Sequence, residues 1–180
     1  MSIDRVKIIS DIVATWVGLV GLLVGGAFGL VQYIEKEQAD RVKATMDLHS
    51  RFNNSVIFDL HKRLTSVWAD RLDQLVSQTE SAAVTPDGWP KYVNTVVLEE
   101  RLGPEVAALV DFYEAVQICA ENKVCDRSTA YAFFGVDARR FYLLHLPYIE
   151  QLRNKRKDLT YGRKLEAFVQ QQTQASSAPK

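Results

Sequence analysis

The sequence predicts an all-α protein: one N-terminal transmembrane helix continues into a stalk, and a small helical bundle follows. Two observations support this prediction. Residues 12–34 form an uncharged apolar stretch, IVATWVGLVGLLVGGAFGLVQYI, and the later chain repeats apolar residues at spacings of three and four. Helices with such a face bury it against one another, so the part after the apolar stretch is expected to form one bundle.

The composition limits the number of domains and the classes of partner. The chain has 180 residues with 22 basic and 22 acidic side chains, and the part after residue 34 is long enough for one domain with a buried core. A formal net charge of zero argues against a general nucleic-acid binder. The charge is nevertheless uneven, because residues 70–121 are acidic and residues 153–180 are basic.

The apolar stretch follows a short mixed leader, residues 1–11. A helix rises about 1.5 Å per residue, so residues 12–34 are long enough to cross a hydrocarbon core of roughly 30 Å. The stretch is longer than the apolar part of a secretory signal peptide and lacks a small-residue cleavage site, which predicts a retained anchor. Trp16 and Tyr33 lie near its two ends, where membrane helices carry interfacial aromatic residues.

Basic residues on the two sides of the anchor predict its orientation, because they concentrate on the cytoplasmic side. The count favours a single-pass protein with a cytoplasmic C-terminal domain. The residues compared are Arg5 and Lys7 before the anchor, and Lys36, Arg41, Lys43 and Arg51 after it.

Glycines follow one stripe of the predicted anchor. Gly21, Gly25 and Gly29 are each four residues apart, and Gly18 lies on a nearby stripe. Small residues let two helices approach closely in lipid, so the stripe is a candidate contact for self-association or for another membrane protein. The alternative explanation is that glycine is common in membrane helices.

Residues 35–80 are predicted to form the stalk and a helical hairpin. The stalk runs from Glu35 to Phe52 without proline or glycine, and the following Asn-Asn-Ser offers a turn and a helix cap. A second helix is expected from Val56 to about Thr79. Residues 81–90 then form the clearest loop, in which Trp89 is expected to plug the core rather than to remain an exposed contact.

Residues 91–169 are predicted to form the helical bundle. Valines in 91–102 would also suit a strand, but Pro90 and Gly103 at the two ends favour a short helix. Gly135 should end one helix, and Pro147 should kink another. Residues 170–180 are polar and low in complexity, so they are expected to be a disordered tail. The predicted bundle helices cover 91–102, 104–122, 126–134 and 138–156.

The sequence carries no recognisable catalytic or metal-binding pattern. The three histidines, His49, His61 and His145, do not match a ligand motif, and His145 among apolar residues is expected to be a hydrogen-bonded core histidine. Cys119 and Cys125 do not match common zinc spacings and are expected to be reduced structural thiols. No enzyme activity, cofactor or metal is therefore expected.

Glu114 is an acidic residue that is expected to need a charged partner. It lies beside Phe112 and Tyr113 on a predicted buried helix, so a buried carboxylate here needs a partner. Arg139 and Arg140 are the natural candidates. A structural ion pair is favoured over a catalytic acid.

A basic cluster near the C-terminus is the second candidate contact surface. Anionic lipid headgroups attract such clusters, and nearby apolar residues give the same stretch an amphipathic character. The alternatives are a solvated helix end, docking on the acidic residues 70–121 of a neighbouring subunit, and nucleic-acid binding. The cluster consists of Arg153, Lys155, Arg156, Lys157, Arg163 and Lys164.

Part of the chain resembles a bacterial family that is known only as a domain of unknown function. The resemblance lies in LVDFYEAV at residues 109–116, ENKVCD at 121–126, Phe134-Gly135 and Tyr148-Ile149. The resemblance implies one N-terminal membrane helix, a charged stalk and a compact helical domain in a bacterial inner membrane. It implies no activity and no catalytic residues.

The function expected from these features is protein interaction. The chain is predicted to be a membrane-anchored helical scaffold that forms homo-oligomers. The alternative is a membrane-disrupting effector that assembles through its glycine-striped helix. A membrane-tethered enzyme has no support among the residues.

Overall fold

The structure, a computed structural model, describes the backbone of residues 3–78 and 88–177 and the side chains of residues 21, 22, 24–75 and 88–171. All regular secondary structure in these ranges is α-helical, which confirms the predicted all-α class. The helices are α1 (Ile3–Asn53), α2 (Val56–Gln78), α3 (Trp89–Glu99), α4 (Gly103–Glu121), α5 (Arg127–Arg156) and α6 (Arg163–Ser177).

The chain divides into two units, here called the N-terminal segment (residues 1–40) and the helical domain (residues 41–180). Within the described residues, no helix is both long enough and apolar enough to cross a membrane. The predicted span 12–34 falls partly outside these residues, because the side chains of 12–20 and 23 are not described.

The core of the helical domain forms around α4, which packs against α2, α5 and α6. Its apolar residues recur at spacings of three and four, so they share one face of the helix. Several of them are fully buried, namely Val106, Leu109, Val110, Tyr113 and Val116. The periodicity seen in the sequence therefore identifies the buried face of this helix.

Helix α3 resolves the ambiguity between strand and helix in favour of the helix. It begins at Trp89 with Pro90 in its first turn, where the missing backbone N–H of proline costs nothing. Val93, Val96 and Val97 are its buried residues. Trp89 is half-buried against the core, as expected for a plug. The predicted loop 81–90 lies outside the described residues up to position 87.

Helix α5 corrects one predicted boundary. Asp126 caps it, since its Oδ1 accepts a 2.8 Å hydrogen bond from the Thr129 backbone N–H. The predicted break at Gly135 is wrong, because α5 continues from Arg127 to Arg156 and contains Pro147. A helical glycine costs about 1 kcal/mol, which burial of the Phe134 and Ala138 side chains readily offsets.

The expected disordered tail from residue 170 is also wrong for the described part, because α6 runs on to Ser177. Glutamine and alanine are good helix formers, so the composition permits this extension. The Gln171 side chain is held in place, since its Oε1 accepts a 2.7 Å hydrogen bond from the Tyr131 hydroxyl.

Candidate functional site

In the described part of the N-terminal segment, the apolar side chains of α1 are exposed on every side of the helix. Leu22 is 76% exposed and Phe28 is 64% exposed. The other large apolar side chains that are more than half exposed here are Val24, Leu30, Val31, Tyr33 and Ile34. Apolar residues all round a helix are typical of one that is covered by lipid or by other protein.

The predicted glycine stripe borders open space. A Cβ atom added at Gly21, Gly25 or Gly29 would meet nothing within 4 Å, and the same holds for Gly26 beside them. Gly18 lies outside the described side chains. The described part of the stripe therefore has room for the close approach of another helix.

Arg153 belongs to the interior of the helical domain and not to an exposed basic surface. Its Nε donates a 2.7 Å hydrogen bond to the Tyr161 carbonyl oxygen, and its Nη2 pairs with Glu166 at 3.1 Å. Only 6% of the residue is exposed. These contacts join the end of α5 to α6, so the guanidinium has a structural role.

Arg163 and Lys164 are exposed, but both are paired with acidic residues of the same chain. Arg163 Nη1 lies 2.9 Å from Glu166, and Lys164 Nζ lies 2.5 Å from Glu121. The Lys164 pair joins the basic end of the chain to its acidic part within one molecule. In the subunit-docking alternative, a basic residue such as Lys164 would instead pair with an acidic residue of a neighbouring subunit.

Three exposed members of the predicted cluster make no ion pair with a described residue and are here called the basic surface: Lys155, Arg156 and Lys157. All three are exposed at the end of α5. The guanidinium of Arg156 lies over the Tyr161 ring, 5.2 Å from its centroid. Lys157 ends the helix in the left-handed conformation, with φ 53°.

Glu114 has a different partner from the one that we expected. Its Oε1 accepts a 3.0 Å hydrogen bond from the backbone N–H of Lys164 in the first turn of α6. Burial raises the pKa of Glu114, while the backbone N–H groups of Lys164 and Gly162 act in the opposite direction. Neither Arg139 nor Arg140 pairs with it within the described residues, so the carboxylate caps a helix.

His145 is a hydrogen-bonded core histidine, as predicted. Trp68 Nε1 donates a 2.8 Å hydrogen bond to His145 Nε2, and His145 Nδ1 lies 2.8 Å from the Phe141 carbonyl oxygen. Burial lowers the pKa of His145 to about 4, so the ring is neutral at pH 7. Both ring nitrogens already have partners, which leaves no atom free to bind a metal.

A cleft of about 340 Å³ lies between α2 and α5, directly above this histidine. From α2 it is lined by His61, Leu64, Thr65, Trp68, Ala69 and Leu72. From α5 it is lined by Asp137, Arg140, Phe141, Leu144 and His145. Its lining is mostly apolar, and its volume falls within the range of small-molecule sites.

The two cysteines form a disulfide, which corrects the expectation of reduced thiols. Cys119 and Cys125 are six residues apart, yet their Cα atoms are 5.2 Å apart. The chain turns back after α4, because the backbone N–H groups of Val124 and Cys125 both donate to the Cys119 carbonyl oxygen. That turn brings the two cysteines within disulfide reach.

No group of three or more His, Cys, Asp or Glu side chains that could hold a metal ion occurs among the described residues.

A family model for DUF4760, a domain of unknown function, matches residues 8–172. The chain belongs to the DUF4760 family. No curated protein matches the sequence, and no solved structure matches it. The DUF4760 match includes the apolar stretch 12–34 as well as the helical domain, so both are parts of one family domain. The match confirms the resemblance to a family of unknown function.

Two features of this DUF4760 domain were missed by sequence reasoning. The cleft depends on α2 and α5 lying side by side, and its Trp68–His145 hydrogen bond joins residues 77 positions apart. The disulfide had a local signal, because two cysteines on either side of a helix C-terminus can meet across the turn.

Proposed function

We propose that this DUF4760 protein is a single-pass, membrane-anchored interaction protein that self-associates through residues 12–34. One observation carries the proposal: the described apolar side chains of the N-terminal segment are exposed on every side of α1. Apolar surface of this extent is normally covered by lipid or by another protein and not left in contact with water. Lipid is the cover that best suits an uncharged stretch as long as residues 12–34.

The partner that we propose for this helix is a second copy of the chain. Two helices in lipid associate where small side chains allow close packing, and Gly21, Gly25 and Gly29 have open space beside them. A symmetric pair needs only one such stripe, because each copy presents the same surface to the other.

Carbonate extraction and mass measurement test anchoring and assembly separately. The protein should stay with membranes after alkaline carbonate treatment, and recovery in the soluble fraction would reject the anchor. In mild detergent, light scattering with refractive-index detection should give the protein mass of an oligomer. Gly25→Leu should shift the protein towards the monomer, because leucine blocks close approach on the stripe.

Gly26→Leu is the matched control for Gly25→Leu. It adds the same side chain at the next position, which also borders open space but lies off the stripe. The control should keep the oligomer. Equal masses for Gly25→Leu, Gly26→Leu and the unmodified chain would reject the stripe as the contact, and a monomeric unmodified chain would reject self-association.

We also propose that the helical domain faces an oxidising compartment. The Cys119–Cys125 disulfide supports this orientation, because disulfides persist outside the cytoplasm and are rare within it. The basic residues after the anchor favour the opposite side. We give the disulfide more weight, because Arg5 and Lys7 leave only a small difference in the positive charges.

Thiol alkylation in intact cells decides between the two orientations. Cells are quenched with acid, and a maleimide-linked polymer is then added to the denatured protein with or without a reductant. If the helical domain faces an oxidising compartment, the polymer should modify Cys119 and Cys125 only after reduction. Modification without reductant would reject the proposal and support the cytoplasmic side, while a Cys119→Ala/Cys125→Ala variant gives the background.

The third part of the proposal concerns the basic surface, Lys155, Arg156 and Lys157, which we expect to contact anionic headgroups of whichever leaflet the helical domain faces. Each basic residue near an anionic membrane contributes about 1 kcal/mol. Ligands that bind only the folded state raise its melting temperature. The full chain should therefore melt at a higher temperature in anionic nanodiscs than in zwitterionic ones.

Replacing the three residues of the basic surface by Gln should remove this difference between the two kinds of nanodisc. A charge-matched control replaces three other exposed basic residues by Gln and should retain it. The proposed lipid contact is wrong if both triple variants respond to anionic lipid in the same way. The control residues are Lys91, Lys123 and Arg139.

A further inference from the structure

The cleft between α2 and α5 is a narrow slot with a definite direction. At one end of the cleft Phe52 lies beside both His61 of α2 and Phe134 of α5, and farther along both helices Trp68 bonds to His145. The two helices therefore run in parallel along it. From His61 to Leu72 the slot extends for about 16 Å at the helical rise of about 1.5 Å per residue.

The dimensions of the slot select a slender ligand. An α-helix is about 10–12 Å wide with its side chains, so a whole helix does not enter a cleft of about 340 Å³ and would contact only its rim. A single extended aliphatic chain is long and thin enough to lie between the two helices. The volume is near the lower end of the range for small-molecule sites, which also fits such a ligand.

The chemistry of the slot changes from one end to the other. His61, Asp137 and Arg140 line one end, whereas Leu72 and Leu144 line the other. At the floor, the Trp68 and His145 nitrogens are already bonded, so the rings present their apolar surfaces to the slot. A ligand that matches this gradient has a polar head and an apolar chain.

The polar end indicates the charge of the head. Arg140 is exposed, and no described residue makes a hydrogen bond or an ion pair with its guanidinium. A guanidinium binds a carboxylate through two parallel hydrogen bonds. Asp137 lies one turn earlier on the same helix and repels a doubly charged phosphate more than a single carboxylate.

We propose that this cleft binds a single-chain amphiphile with a carboxylate head, of the fatty-acid type. The aliphatic chain lies along the apolar end above Trp68, and the carboxylate pairs with Arg140 at the polar end. This site is independent of the proposed self-association, because it lies within the helical domain and uses no residue of the glycine stripe.

Trp68 provides a direct probe of occupancy, because it lines the cleft and is only 3% exposed. The chain has three tryptophans, so Trp16→Phe and Trp89→Phe leave Trp68 as the sole indole. The full chain with these two replacements is placed in nanodiscs and titrated with stearic acid that carries two bromine atoms on its chain as the quenching label. Saturable quenching of Trp68, reversed by unlabelled stearic acid, is expected.

Ala69→Phe should fill the slot and weaken binding of the labelled acid by about tenfold or more, which corresponds to about 1.4 kcal/mol. Ser66→Phe is the matched control, because it adds the same side chain at an exposed position of α2 that does not line the cleft. Ser66→Phe should bind like the parent chain. Equal affinities for both variants, or quenching that never saturates, would overturn the site and indicate partition into the bilayer only.

Arg140→Gln tests the head group, with Arg139→Gln as the exposed neighbour that does not line the cleft. Arg140→Gln should weaken binding of the labelled acid by about tenfold, as expected for loss of a charge-assisted pair. It should leave the affinity for the corresponding labelled stearyl alcohol unchanged. An equal loss for acid and alcohol, or none for the acid, would reject Arg140 as the carboxylate partner.

Discussion

The N-terminal segment and the helical domain place the same apolar residue types in opposite surroundings. Leu30 in the N-terminal segment is 61% exposed, whereas Leu109 in the helical domain is fully buried. Phe28 and Phe168 differ in the same way, at 64% and 0% exposure. The residue type alone therefore does not say which apolar side chain contributes to the folded core.

The arrangement of apolar residues around each helix explains this difference. In the helical domain, α4 has one buried stripe, so its neighbours cover it within the same chain. Between Leu22 and Ile34, apolar residues occupy every side of α1, and no single neighbouring helix can cover all of them. The stability of the helical domain should therefore be internal, whereas that of the N-terminal segment should depend on its surroundings.

The largest difference in the free energy of unfolding should be between Trp68→Ala in the helical domain and Phe28→Ala in the N-terminal segment. The change opens a cavity and leaves His145 Nε2 without its donor, so unfolding should become easier by about 3–5 kcal/mol. Phe28→Ala removes an exposed ring and should alter the free energy of unfolding of the helical domain by less than about 0.5 kcal/mol. Urea titration of the full chain in mild detergent, followed by circular dichroism, measures both values.

Trp68→Phe completes the test. It keeps a packed aromatic ring but removes the indole N–H that bonds to His145, so its effect should lie between those of the other two variants. If Phe28→Ala were as destabilising as Trp68→Ala, the two regions would share one cooperative core, and the comparison would fail.

Acid should weaken the helical domain through His145. Its pKa is about 4 in the folded chain and about 6.5 when unfolded, so the unfolded state binds more protons between these values. Stability should therefore rise with pH from about 4 to 6.5 by roughly 3 kcal/mol and then level off. Urea titrations at several pH values, with the unmodified chain and His145→Gln, measure this slope.

The His145→Gln chain should have a flatter slope over the same pH range, because glutamine does not titrate. Only the slopes are compared, so a constant loss of stability in the variant does not affect the result. Equal slopes would show that acid acts on the helical domain through other groups.

The disulfide should stabilise the helical domain by a smaller amount. Closing a loop between residues six apart reduces the entropy of the unfolded chain, with an expected effect of about 2 kcal/mol. Reductant should lower the unfolding midpoint of the parent chain to that of Cys119→Ala/Cys125→Ala. Reductant should not change the unfolding midpoint of the double variant. If reductant also left the midpoint of the parent chain unchanged, the disulfide would not be stabilising.

The sequence was sufficient for features that depend on neighbouring residues. The periodicity of α4 predicted its buried stripe. Asp126 was recognisable as a helix cap because the backbone N–H that donates to its side chain belongs to Thr129, only three residues away. The apolar surroundings of His145 likewise predicted its burial. These features are decided within a few turns of one helix.

Features that depend on distant residues could not be predicted in this way. Gly135 was expected to break a helix because its local signal was strong, and nothing local reveals that the site is buried. The partner of Glu114 is the backbone N–H of Lys164, 50 residues away. Every residue except proline has such an N–H, so the residue types do not reveal this contact. The cleft was invisible for the same reason, because α2 and α5 are separated by two other helices in the chain.

Glu114→Gln should give the smallest effect and tests whether the helical domain also satisfies its helix ends internally. Glutamine keeps an acceptor for the Lys164 N–H but loses the negative charge at the start of α6, which should cost about 0.5–1 kcal/mol. Glu35→Gln is the control in the N-terminal segment, where the carboxylate is exposed, and it should leave the urea midpoint of the helical domain unchanged. The loss for Glu114→Gln should shrink in high salt, because salt screens the interaction between a charge and a helix end. A loss that is independent of salt would contradict a stabilising interaction between the Glu114 charge and the start of α6.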